Sequence, residues 1–197
     1  MTSYSQIRRD FAVVFDLEFT AWEGSMANQW LRPGEFKEVV QIGAIKVDTD
    51  FTPGEMLDVV VRPRLNPVLS PYLEQLTGIT NDEVRGRGMD FVDAYRAFVD
   101  FAGGLPIIAY GRDELVLLDN LRLYGIKNAP PLPPYINIIP WMGAHGVDVR
   151  GLHSCDVGPM AGVPFVGHKH NARDDALSVV AGVRTLIARG AAAPEAA

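Results

Sequence analysis

The sequence predicts an α/β fold: a mixed five-stranded sheet, three antiparallel strands followed by parallel ones, flanked by helices. Three observations carry this. The 197-residue chain is 48% hydrophobic and 21% charged, an ordinary globular balance with enough length to bury a core. Strand-like runs crowd the first third with short connections, which favours antiparallel pairing. Helical and strand-like segments then alternate, as in a sheet covered by helices.

The elements follow in order. Phe11 to Thr20, FAVVFDLEFT, is rich in Phe and Val and reads as a central strand. A loop with Gly24, Pro33 and Gly34 runs from Ala21 to Glu35. Glu38 to Asp48 and Met56 to Arg62 make the second and third strands. Ser70 to Thr77 and Asn81 to Val84 read as short helices, each opened by a capping residue. Met89 to Ala102 places Phe91, Ala94, Tyr95, Phe98 and Phe101 at helical spacing. Leu105 to Tyr110 is a short buried strand, and Asp113 to Tyr124 a helix stopped by Gly125. The Pro-dense stretch Ala129 to Pro134 is a loop, and Ile136 to Ile139 the last strand. Leu152 to Ala161 and Asn171 to Ala188 are helices, and 191–197 is expected to be a disordered tail.

Composition bounds the function. No apolar run approaches the ~18 residues of a membrane span, and Met1 to Asp10 holds no signal-peptide core. Cys155 is the only cysteine, which excludes an internal disulfide and a multi-cysteine zinc site. A reducing, cytoplasmic compartment is the expectation, with no membrane partner. The 24 acids exceed the 18 bases, for a net charge of −6, so the chain is not a coat for duplex phosphate. The question becomes where the carboxylates lie.

Two of them interrupt the first strand. Phe11, Val13, Phe15, Leu17 and Phe19 share one face; Ala12, Val14, Asp16, Glu18 and Thr20 share the other. Two ionised acids on one face of a central strand repel unless a divalent cation lies between them. The alternative is a strand end that emerges into solvent, with both acids wet. In the last helix, stepping back four from Val179 lands on Asp175, an acid on the apolar stripe in the first turn. The helix dipole favours an acid in that turn, but not on that stripe. Asp174 lies on the opposite, polar face with Ser178, Gly182 and Thr185, and reads as a solvated or capping acid. His170, just ahead of the helix, suits general-base work because its pKa lies near neutrality. His168 is its decoy, and His145 and His153 have no comparable context. Asp113 opens a helix with Leu117, Leu121 and Tyr124 on its apolar face, and can equally be an N-cap. Asp16, Glu18, Asp113, His170 and Asp175 thus come from junctions where open α/β sheets build sites. Such a set suits two Mg²⁺ or Mn²⁺ ions about 4 Å apart, activating water for phosphodiester hydrolysis.

Asp16-x-Glu18-x-Thr20, Asp113 with Leu117 four residues on, and His170-x-Ala172-x-x-Asp175 resemble the three exonuclease motifs of the DEDD superfamily, histidine subclass. EVVQIGAIKVD resembles the family's second strand, and VRPRLNPVLSPYLEQLTGIT its P-x-x-x-x-L-T-G-I-T segment. The branch shared by histone-mRNA and KinA-inhibitor-like exonucleases is the nearest, over residues 11–187. The resemblance implies an RNase H-like fold, one exonuclease domain over residues 1–190, and 3′–5′ cleavage of single-stranded RNA or DNA one nucleotide at a time. It implies that Asp16, Glu18, Asp113 and Asp175 ligate two metals and that His170 is the base. Thr20, Leu76, Thr77 and Gly78 would lie near the substrate, and Trp22 offers an aromatic for an unpaired base; Trp30, in the same loop, offers another or else packs under the loop as its own hydrophobic cover. Arg112 alone separates Gly111 from Asp113, where the branch usually has two residues, so Glu114 or Asp119 is the alternative ligand. Two other readings stand beside this one: a regulatory binding protein that keeps the fold, and a phosphodiesterase of small nucleotides.

Overall fold

The computed structural model describes residues 10–194. The stretch 1–9 and residues 195–197 of the expected tail lie outside the described residues. Six strands, β1 (Ala12–Phe19), β2 (Val39–Val47), β3 (Pro53–Arg62), β4 (Met89–Asp90), β5 (Ile107–Ala109) and β6 (Tyr135–Asn137), lie in the order β4-β3-β2-β1-β5-β6. β1 and β2 pair antiparallel, as do β2 and β3, whereas β5 runs parallel to β1 and β6 parallel to β5. The sheet is therefore mixed in the expected sense, with one more strand than the five expected. The addition is β4, two residues that pair parallel with Val61 and Arg62. So short a strand shows no alternation, and its residues read as the start of the following helix. That helix begins two residues later because the Asp90 carboxylate accepts the Val92 N–H at 3.0 Å and caps it.

The helices are α1 (Ser25–Asn28), α2 (Pro71–Thr77), α3 (Asn81–Arg87), α4 (Phe91–Ala102), α5 (Asp113–Leu123), α6 (Ile138–Ala144), α7 (Val157–Met160) and α8 (Ala172–Ala188). Two were not foreseen. α1 is a single turn, below the length at which periodicity registers. α6 takes over two of the residues expected to end β6, because the Asn137 side chain accepts the Ile139 N–H at 3.0 Å and turns the strand into a helix. The expected helix from Leu152 splits into a 3₁₀ turn, Ser154–Asp156, and α7. Among the described residues no helix is long and apolar enough to cross a membrane.

β1 is buried on both faces, which explains its density of Phe and Val. Val13, Phe15 and Leu17 meet Ala94 and Phe98 of α4 and Leu117 of α5. Ala12 and Val14 lie under Val179, Val180 and Val183 of α8. The start of α8 comes down on β2 at Gly43, the residue paired with Asp16. A Cβ on Gly43 would stand 2.1 Å from the Arg173 nitrogen, so only glycine permits this approach. Gln41 anchors the same contact: its carbonyl accepts the Ala172 N–H at 2.9 Å and its amide donates to Asp58 at 2.8 Å. Ser178 and Gly182, on the face of α8 expected to be polar, are buried instead. They are there for their size. Gly182 lies against Val157, and the Ser178 hydroxyl donates to the Cys155 carbonyl at 2.9 Å.

Candidate active site

The ends of β1 and β5 and the starts of α5 and α8 border one cleft of about 470 Å³, within the range of small-molecule sites. Asp16 and Glu18 project into it from β1, 7% and 8% exposed. They are not the wet strand end that sequence left open, because α8 and the turn at Ser154 cover that face. Burial pushes the Asp16 carboxyl well above the usual range, and the charges of Asp113 and Asp175 push it further. Glu18 is raised by burial and then by Asp16, Asp175 and Asp113. Four acids therefore share one low-dielectric space and oppose each other's ionisation.

Asp113 occupies the first turn of α5 and lines the cleft. It is not an N-cap: Arg112 holds that position, and no side chain caps the helix. Burial raises Asp113 to about 7, helped by Glu114 and opposed by Lys37. The two alternatives to Asp113 point elsewhere. Asp119 is on the exposed side, paired with Arg122 at 2.7 Å. Glu114 is buried outside the cleft, one oxygen accepting from Arg112 Nε at 2.6 Å and the other without a partner.

Asp175 lies on the apolar stripe of α8, 2% exposed, and burial brings it to about 7. Its Oδ2 accepts from the His170 N–H and from the Ser154 hydroxyl, both at 3.3 Å. Its Oδ1 is buried without a partner. The neighbouring Asp174 is buried too, not solvated: it accepts the His168 N–H at 2.9 Å and pairs with Arg173 at 2.9 Å. It holds the turn that delivers the histidines. His170 sits in the left-handed region at φ 61° and is half-buried. Burial lowers its pKa, and the neighbouring His153, Lys169 and His168 lower it further, so the ring is neutral near pH 7. Glu18, His170 and Asp175 offer ligand atoms that lie within 4.8 Å of one another. His168 is exposed and faces Gly78 instead.

The residues expected near substrate divide. Leu76 lines the cleft. Trp30 lines it as well, its Nε1 donating to the Thr20 carbonyl at 2.8 Å and its ring 5.4 Å from Phe19. Trp22 is half-buried outside the lining. The Thr20 hydroxyl is buried and accepts the Glu38 N–H at 2.9 Å, so it ties β1 to the start of β2. Thr77 is also internal, donating to the Leu73 carbonyl at 2.9 Å and accepting the Ile79 N–H at 3.1 Å. Gly78 closes α2 at φ 74°. Sequence reasoning missed His153 and Ser154, which border the cleft, the His153 ring 6.3 Å from that of His170. Their segment reads as a helix start, and nothing local shows which way it faces.

The exonuclease family model RNase_T matches residues 13–181. Among solved structures, the chain is similar to the nuclease domain of 3'hExo, a DEDDh family member bound to rAMP (22% identity, 98% of each chain, TM-score 0.78). A 3′-exonuclease solved with the histone mRNA stem-loop matches at 21% identity over 94% of this chain and 85% of that one, with TM-score 0.77. Cell-death related nuclease 4 matches at 20% identity over 93% and 66%, with TM-score 0.74. No curated protein sequence matches the chain.

Proposed function

Because the chain belongs to the RNase_T exonuclease family over residues 13–181, and so is a hydrolase of phosphodiester bonds, we propose that it is a divalent-metal-dependent 3′–5′ exonuclease of single-stranded RNA or DNA, releasing nucleoside monophosphates. One observation carries this reading: Asp16, Glu18, Asp113, Asp175 and His170 converge on a single cleft from β1, α5 and the start of α8. Burial and mutual repulsion hold the acids in a state that only added positive charge relieves. The partnerless Asp175 Oδ1 and the 4.8 Å grouping of Glu18, His170 and Asp175 fit hard cations with oxygen ligands. Asp16, Glu18, Asp113 and Asp175 would hold two Mg²⁺ or Mn²⁺ ions. Bound there, the ions supply Lewis acidity for the attacked phosphorus and charge stabilisation for the departing oxygen.

The chain's own residues do the rest. His170, neutral and half-buried, accepts the proton of the attacking water. Asp175 orients the segment that carries the imidazole, through the His170 N–H. Leu76 and Trp30 wall the cleft with apolar surface that excludes water from the end of a strand. The structural relatives concerned with rAMP and with the histone mRNA stem-loop support a nucleic-acid substrate.

The test is digestion of 3′-labelled and 5′-labelled oligonucleotides with Mg²⁺ or Mn²⁺. The expected result is mononucleotide release from the 3′ end, abolished by Asp16→Ala. His170→Asn, which tolerates the left-handed backbone, lowers turnover by roughly 10²- to 10⁴-fold. His168→Asn leaves turnover within a fewfold. Internal cuts, release from the 5′ end, or hydrolysis confined to dinucleotides would overturn the proposal.

A further inference from the structure

Asp113 reaches the cleft from the first turn of α5, directly after a tight turn at Gly111 and Arg112. The helix opens without a side-chain cap, so other contacts must hold its start. β6 holds one side of the turn. The Asn137 side-chain oxygen accepts the Gly111 N–H at 3.3 Å, and the Tyr135 hydroxyl donates to the Gly111 carbonyl. Burial and the charges of Glu114 and Asp113 raise the Tyr135 phenol well above its usual range, so it remains a donor.

An ion pair holds the other side. Arg112 Nε donates to Glu114 Oε1 at 2.6 Å, so the residues before and after Asp113 are tied to each other. Side chains two apart on a helix do not face each other. This pair forms because Arg112 stands outside helical geometry, at φ −129° and ψ 44°, while Glu114 is already in the first turn. The bond thus selects the turn conformation in which Asp113 enters the cleft. Glu114 is otherwise an unfavourable residue to bury there. Its side chain is 9% exposed, Tyr135 gives its one proton to Gly111, and Glu114 Oε2 is left without a partner. It also sets a further negative charge beside Asp113, where the cleft already holds four acids. Packing alone does not call for a carboxylate at this position, since apolar residues in place of a buried ion pair are often the more stable choice.

Resting on the reading that Asp113 holds a metal ion, we propose that Arg112 and Glu114 are positioning residues: their ion pair, backed by Tyr135 and Asn137, locks the turn so that the Asp113 carboxylate is aimed at the cation. Both lie outside the cleft lining, so neither is a ligand. Groups that orient a ligand from behind are worth roughly 10- to 100-fold in metal affinity. Here they act on the turn that carries the ligand rather than on its oxygens.

The test is Mn²⁺ binding, followed by the EPR signal of the free ion, for the parent, Arg112→Met, Glu114→Leu and the double variant. Charge and position predict opposite results for Arg112→Met. Removing a cation near the cleft would by itself tighten Mn²⁺ binding, whereas loss of the clamp weakens it by about tenfold. Glu114→Leu should weaken binding by a similar factor while the metal-free melting temperature stays level or rises, a split that a merely structural role would not give. The double variant should bind no worse than either single one, because each removes the same bond. Arg112→Lys, which can still donate to Glu114, should stay within about threefold of the parent. Parental or tighter Mn²⁺ binding by Arg112→Met, or losses that add in the double variant, overturns the clamp and leaves the exonuclease reading standing. Failure of the parent protein to bind Mn²⁺ overturns both.

Discussion

Single side chains in this protein are worth most where they are denied water. Glu38 is fully buried, yet its carboxylate accepts the backbone N–H groups of Arg64, Leu65 and Asn66 at 2.6–2.8 Å, and the Tyr124 hydroxyl as well. Both carboxylate oxygens have donors, so this acid is structural. The cleft acids are its opposite, with neighbours of their own sign. Their titration has a direct consequence for the metal-free protein. Asp113 and Asp175 move from an unfolded value of 3.8 to about 7, and Asp16 and Glu18 shift the same way. Between those values the folded chain binds more protons than the unfolded one, so this cluster's contribution to stability falls as pH rises. It is fully present below pH 4 and lost once pH passes 7. Divalent ions should therefore raise the melting temperature more at pH 8 than at pH 5, and Asp175→Asn should shrink the difference. Differential scanning fluorimetry with and without Mg²⁺ reads both effects. An equal rise at the two pH values would contradict the argument.

At the level of elements, the decisive contact is α8 on β2. Gly43→Ala places a methyl carbon where the Arg173 nitrogen and the Ala172 carbonyl carbon already stand, at 2.1 and 2.3 Å. The helix start must then lift from the strand, carrying Asp175 and the His170 segment away from Asp16. We expect a stability loss of about 1–3 kcal/mol by urea unfolding. Turnover should fall by roughly 100-fold, since an ångström of misplacement costs about that much. Full activity with wild-type stability would show that the close approach is not what builds the site. The same contact marks how far the sequence could be read. The acids were legible because each breaks an apolar pattern: Asp16 and Glu18 a strand face, Asp175 a helical stripe. The long elements were legible for the same reason, as β1, β2, α4, α5 and α8 each carry a full period of burial. Pieces of two to four residues, such as β4 and α1, carry none. Gly43 gave no signal either, because nothing near it in sequence names the helix that arrives from 130 residues away; nor did His153, whose direction depends on α8 beneath it.

For the molecule as a whole, charge and topology set what kind of substrate it can hold. The net charge is −6, and many of the arginines are already paired with acids, among them Arg64 with Asp90, Arg87 with Glu83 and Arg150 with Asp148. Among the described residues, such pairing leaves less free positive surface for a long backbone. Binding of an oligothymidylate should lose affinity with salt at a slope of about −1 to −2 on a log–log plot, as for two or three phosphates. A slope near −5, or comparable affinity for blunt duplex, would show a track of phosphate contacts that the fold does not display. Fluorescence anisotropy over a salt series makes the measurement. The distribution of the site residues along the chain has a temporal consequence too. Residues 16 and 18 enter with the first strand, 113 with a middle helix, and 170 and 175 only with the last. The Gln41 to Ala172 bond that docks this last helix joins residues 131 apart in sequence, so it forms late, after the loop between them has closed. A nascent or half-folded chain accordingly carries an incomplete set of the proposed cutting residues. On that assignment, destructive capacity arrives in one step, when assembly ends.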